Sequence, residues 1–131
     1  MNKIITAAVI FALLGLFAPA HAGTITPEEA AKFTGSQETV CGKVVRAFYA
    51  AKAKGQPTLL NLAGVSSDRV FTVVIWGEDR NKFEKPPESL YSGKKVCVTG
   101  RIKVYRGRPE IIVRDPSQIE ARGVPEVETP K

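Results

Sequence analysis

From Val40 onward, apolar and polar residues alternate with a period of two, and the apolar positions are dominated by Val, Ile and aromatic residues. That pattern marks half-buried strands, and it predicts five of them. The first covers about 39–50 and is followed by the loop AKAKGQP; the second covers about 58–63 and ends in the turn GVSSD. The third, about 69–76, is the most apolar. A polar, Pro-rich stretch over 77–93 then separates it from the rest, with room for one helical turn at Pro87–Tyr91. The fourth strand covers about 94–105, and a tight turn at Arg106-Gly107 leads into the fifth, about 109–114.

Ahead of the strands the pattern is different. Residues 1–22 read as a cleavable export signal: Lys3 gives a positive start, Ile4 to Phe17 is an almost unbroken apolar run, and Ala20-His21-Ala22 is a small-x-small cleavage site. The run is shorter than the ~20 residues that span a bilayer, and Pro19 follows it at once. Export to the periplasm or the medium is therefore expected, with cleavage after Ala22. Cleavage leaves 109 of the 131 residues, enough for one domain. Residues 23–37 hold a short helix and linker, with Thr26 as N-cap, Pro27 at the first helical position, Glu29 completing a capping box and Gly35 as the stop. The main domain is expected over 38–121. The tail 122–131 carries alternating charges and two prolines and is expected to be disordered.

Three strands, a helical connection and a two-stranded hairpin is the order of an OB-fold, a five-stranded Greek-key barrel, so the chain is expected to be mainly β with a short N-terminal helix. Gly42 and Gly100 suit it, because so small a barrel bends where a side chain would be in the way. In that topology the first and fourth strands are neighbours. Alternation puts Val96, Val98, Ile102 and Val104 on one face of the fourth strand, with Cys97, Thr99, Arg101 and Lys103 on the other. Cys41 and Cys97, the only two cysteines, then lie on the outer face of adjacent strands, and an oxidising compartment favours a bridge between them. In the chain-entropy picture, closing a loop of some 56 residues is worth about 4 kcal/mol.

At VCGKVV (40–45), FTVVIWGEDRNKF (71–83), GKKVCVTGRIKVYRGRPEIIV (93–113) and DPSQI (115–119), the chain resembles a group of small bacterial OB-fold domains. These are related to the nucleic-acid-binding OB-folds of the tRNA-anticodon-binding type. The resemblance covers roughly 38–121 and implies the fold first, with binding of single-stranded nucleic acid or other oligomers as the function. OB-folds also bind proteins and sugars, so a cell-envelope module that recognises a protein or glycan is the second expectation.

Composition narrows the chemistry further. His21 is the sole histidine and leaves with the signal, which removes His-dependent nucleophilic catalysis and His-based metal sites. With both cysteines bridged, no thiolate remains. No cofactor, catalytic residue or metal site is expected. The carboxylates of Glu78, Asp79, Glu110 and Asp115 are the remaining catalytic resource, and an OB-core nuclease is the third expectation. Net charge falls from +6 to +5 when Lys3 is lost, a bias that suits an anionic partner. Single-stranded nucleic acid is expected first, with another polyanion, such as an acidic polysaccharide or lipid headgroups, as its competitor. OB-folds bind on the face of the second and third strands, between the first and last hairpin loops. Here loop 50–57 carries Lys52 and Lys54, and loop 105–109 carries Tyr105, Arg106 and Arg108, with Arg101 and Lys103 continuing the charge. Tyr49, Tyr105 and Trp76 are candidate stacking surfaces, whereas Phe48 and Phe71 are expected in the core. The competing explanation is that hairpin tips are cationic for solubility and edge protection alone.

Overall fold

The computed structural model describes residues 23–64 and 71–122. The stretch 1–22 expected to be an export signal, the start of the third predicted strand, most of the turn GVSSD and the tail beyond Arg122 lie outside the described residues. Seven strands form one sheet: β1 (Gln37–Tyr49), β2 (Thr58–Ala63), β3 (Phe71–Ile75), β4 (Lys95–Arg101), β5 (Lys103–Tyr105), β6 (Arg108–Ile112) and β7 (Ile119–Arg122). Their order is β5-β6-β3-β2-β1-β4-β7, antiparallel throughout except for the parallel pair β3–β6. Long β1 pairs β4 through its first half and β2 through its second. Two short helices, α1 (Gly77–Arg80) and α2 (Pro87–Tyr91), fill the polar connection between β3 and β4. Among the described residues, no helix is long and apolar enough to cross a membrane.

The sheet does not close through hydrogen bonds, and it has two strands more than the five expected. One extra strand comes from a break. Ile102 separates β4 from β5 because its backbone turns away to Gly35 and Ser36, accepting from Gly35 N at 2.8 Å and donating to Ser36 O at 2.9 Å. The other is β7, on the far side of β4. A 3-10 turn over Pro116–Gln118 launches it, capped by Asp115, which accepts from Ser117 N at 2.9 Å. Arg122, read as the first residue of the tail, is the last of β7.

The curved sheet wraps a core that includes Val40, Val44, Leu60, Leu62, Phe71, Val96 and Ile111, all buried. Each such side chain contributes roughly 1.5–3 kcal/mol when fully buried. Gly100 packs closely on the core: a Cβ there would stand 2.6 Å from Ile111 Cγ2. Val104 departs from its expected inward place and is exposed, because β5 is the arm of a hairpin that runs out beyond the core. Phe83 and Tyr91 pack edge to face beneath the helical connection, and burial raises the Tyr91 phenol above its ordinary pKa.

Before β1 the capping box forms as the sequence predicts: Thr26 Oγ1 accepts from Glu29 N at 3.3 Å and Glu29 Oε1 accepts from Thr26 N at 3.2 Å. The helix it starts is only a 3-10 turn, Ala30–Phe33. Both of its flanks are pinned. Ile25 is hydrogen-bonded alongside Thr39 and Cys41, and Gly35 to Ile102, so the segment has no length for an α-helix.

Cys41 and Cys97 face each other across β1 and β4 and form a disulfide, with their Cα atoms 4.1 Å apart. Cys41 N donates to Ile25 O, away from β4, so the cysteines occupy the closer, non-hydrogen-bonded kind of antiparallel pair. Thr39 and Thr99, two residues along, share a 2.8 Å hydrogen bond on the same outer face.

Candidate functional site

An open groove of about 690 Å³ lies across the outer face of β2 and β3. Its floor is Leu59 and Asn61 from β2, Thr72 and Val74 from β3, and Arg46 and Phe48 from β1. One wall is the β1–β2 loop with Lys54, and the other is the β5–β6 hairpin with Tyr105, Arg106 and Arg108. Trp76, just past β3, completes the loop end.

Each part has a local cause. A β-bulge between Val44 and Arg46 inserts Val45 into β1 and reverses the alternation that follows. Val40, Gly42 and Val44 point inward before it, and Ala47 packs against the core after it. Phe48, expected in the core, is thereby turned out onto the groove, while Phe71 is fully buried as expected. Arg46 emerges beside Phe48 and its guanidinium sits 4.5 Å from the ring centroid. Tyr49 falls on the other side and carries the Arg80 guanidinium at 3.7 Å, so it is no stacking surface for the groove.

The hairpin wall turns through Arg106 and Gly107, both in the left-handed region with φ of 49° and 76°. This is the two-residue turn that matches strand twist and ordinarily takes Asn or Gly at its first position. Arg106 stands there instead, its guanidinium 5.3 Å from the Tyr105 ring centroid. At the opposite wall, Gly55 adopts φ +77° and lets the Trp76 indole rest directly on its backbone.

Four of the seven predicted ligand-contacting residues therefore meet in one groove: Lys54, Tyr105, Arg106 and Arg108. The other three do not line it. Lys52 is exposed elsewhere on the loop, Arg101 donates to Gly35 O at 3.0 Å, and Lys103 pairs in register with Glu110 along the hairpin.

The four candidate carboxylates are dispersed. Asp79 is buried and accepts from Lys82 Nζ at 2.8 Å, and that ammonium also reaches Arg114 O. Asp115 caps its turn, and the Ser117 hydrogen bonds hold its carboxyl below the ordinary range. Glu78 lies at a separate depression beside Trp76 and Gly77. Glu110 alone reaches the groove, where burial pushes its carboxyl above the ordinary range against the opposing pull of Lys103.

Among solved structures, the chain is similar to asparaginyl-tRNA synthetase from Pyrococcus horikoshii, with 15% identity over 75% of this chain and a TM-score of 0.52. It is likewise similar to a chain of the S. pombe Stn1-Ten1 complex, at 23% identity over 66% of this chain with a TM-score of 0.50. The fold is OB-like. The chain spans 22% of the synthetase and 57% of the Stn1-Ten1 chain. No family model and no curated protein matches the sequence. At these identities the likeness is one of fold, and it agrees with the double pairing of β1 and the parallel β3–β6 contact.

Proposed function

We propose that the mature chain is an exported, non-catalytic module that binds single-stranded nucleic acid in the groove over β2 and β3. The observation that carries this reading is the convergence of Lys54 on one wall and Arg106 and Arg108 on the other, with Tyr105 beside the two arginines and Phe48 and Trp76 lining the same groove. Cations on the rim attract a phosphate backbone, and rings on the floor and walls offer stacking worth about 1–3 kcal/mol per base. The turn at Arg106 supports it as well. A long charged side chain at a left-handed position costs stability, and such strain is commonly kept for a ligand. The synthetase with the similar fold is by name a tRNA enzyme, but the reading rests on the groove itself.

The test uses Trp76, the only tryptophan, as reporter. Thymidine oligomers added at low salt are expected to change its emission saturably, and heparin to compete. An emission unmoved by oligonucleotide, with a response to a protein or glycan fraction instead, favours the envelope-module reading.

A further inference from the structure

Three polar residues in the groove, Asn61, Thr72 and Glu110, are ones that phosphate binding does not explain. The strand registers set Arg46 opposite Asn61, Asn61 opposite Thr72, Thr72 beside Glu110, and Glu110 opposite Lys103. The next row along is apolar, with Phe48, Leu59 and Val74 in register. Thr72 Oγ1 donates to Asn61 Oδ1 at 3.4 Å, which leaves the Asn61 amide hydrogens without an acceptor among the described residues. Glu110 is half-buried and has no hydrogen bond or ion pair from its carboxylate among the described residues.

An acid on the groove floor, with Lys103 across the hairpin but no hydrogen bond or ion pair among the described residues, repels phosphate and weakens a site meant for backbone alone. It is useful only where a ligand brings N–H groups down to the floor while its phosphates stay on the rim. Among bases, guanine alone presents two adjacent donors, N1–H and the N2 amino group, that match the two oxygens of a carboxylate. Its O6 beside them accepts from an amide such as that of Asn61. Thymine and uracil flank their one ring N–H with carbonyls that face the carboxylate unfavourably. Adenine and cytosine set an acceptor ring nitrogen beside their amino group.

Resting on the groove reading above, we propose that Asn61 and Glu110, bracketing Thr72, form a base-edge reader that selects guanine within the bound single strand. Lys54, Arg106 and Arg108 hold the backbone, and the apolar row with Phe48 supports the plane of the base.

The experiment compares three hexanucleotides on the full mature chain: all-thymidine, the same with one central guanine, and the same with hypoxanthine there, which lacks the N2 amino group. Wild type is expected to bind the guanine strand about tenfold more tightly than all-thymidine, with hypoxanthine between. Glu110→Gln is expected to lose that preference and to bind all-thymidine at least as well as wild type, since a negative charge is gone. Equal binding of all three strands by wild type overturns guanine selection and leaves the groove reading intact. A guanine preference that survives in Glu110→Gln overturns the role of Glu110. No binding of any strand at low salt overturns the groove reading and this inference with it.

Discussion

The indole of Trp76 rests on the backbone of Gly55, so closely that a Cβ at residue 55 would stand 2.8 Å from Trp76 Cε3. Gly77 N donates to Gly55 O at 2.9 Å beside this contact, tying the β1–β2 loop to the end of β3. One wall of the groove and its aromatic end therefore form a single unit. Gly55→Ala meets both the ring and a φ of +77°, and it is expected to destabilise the protein by roughly 1 kcal/mol or more. Denaturant unfolding reads the stability, and a shifted Trp76 emission maximum in the folded protein reads the displaced indole.

Arg106 offers a test that separates stability from binding. Its φ of 49° in a two-residue hairpin turn suits Asn better than Arg. Arg106→Asn is expected to raise stability, by up to about 1 kcal/mol, while weakening oligonucleotide binding. A solubility role alone predicts the gain in stability with no change in affinity.

These two sites also mark how far the sequence could be read. The hairpin turn, the helix at Pro87–Tyr91 and the second strand follow from local pattern, and the Cys41–Cys97 pairing from strand alternation within the OB topology; each is found. Lys54, Tyr105, Arg106 and Arg108 were legible because loops between alternating strands announce themselves. Phe48 and Arg46 were not, because the bulge at Val45 reverses the phase of β1 without any Gly or Pro to signal it. The break at Ile102 was hidden for another reason. It is caused by backbone bonds to Gly35 and Ser36, more than sixty residues away in the sequence. Arg101 was lost to the site by the same neighbours, since Gly35 O takes its guanidinium. Strand β7 has only Ile119 buried, too little alternation to show as a strand.

The disulfide joins strands that already pair in register, so its removal leaves the fold's hydrogen bonds in place and loosens mainly the unfolded chain. Replacing Cys41 and Cys97 together by Ala is expected to cost about 2–4 kcal/mol, with groove binding retained wherever the protein remains folded. Unfolding curves with and without reductant, and of the double variant, check this.

Acid sensitivity should trace to the connection between β3 and β4. Arg80 Nη2 donates to Glu88 Oε1 at 2.7 Å and Nη1 to the buried Thr58 Oγ1 at 2.7 Å, clamping that connection to the start of β2. The hydrogen bonds from Arg80 hold the Glu88 carboxyl below its ordinary value of 4.5. A depressed carboxylate contributes stability that is present above the unfolded value and lost as pH falls through it toward the folded one. Glu88→Gln is therefore expected to be less stable than wild type at neutral pH, with the gap closing as pH falls below about 4.5. Thermal unfolding across that range measures the gap.

The most direct test of the groove is the salt dependence of oligonucleotide affinity in wild type and in the Arg106→Ala, Arg108→Ala double variant. Wild-type affinity is expected to fall linearly with log salt, at about −0.7 for each phosphate held, and the double variant to bind more weakly with a slope shallower by about 1.4. An affinity and slope unchanged by the double substitution would place the nucleic acid elsewhere on the protein and contradict the account.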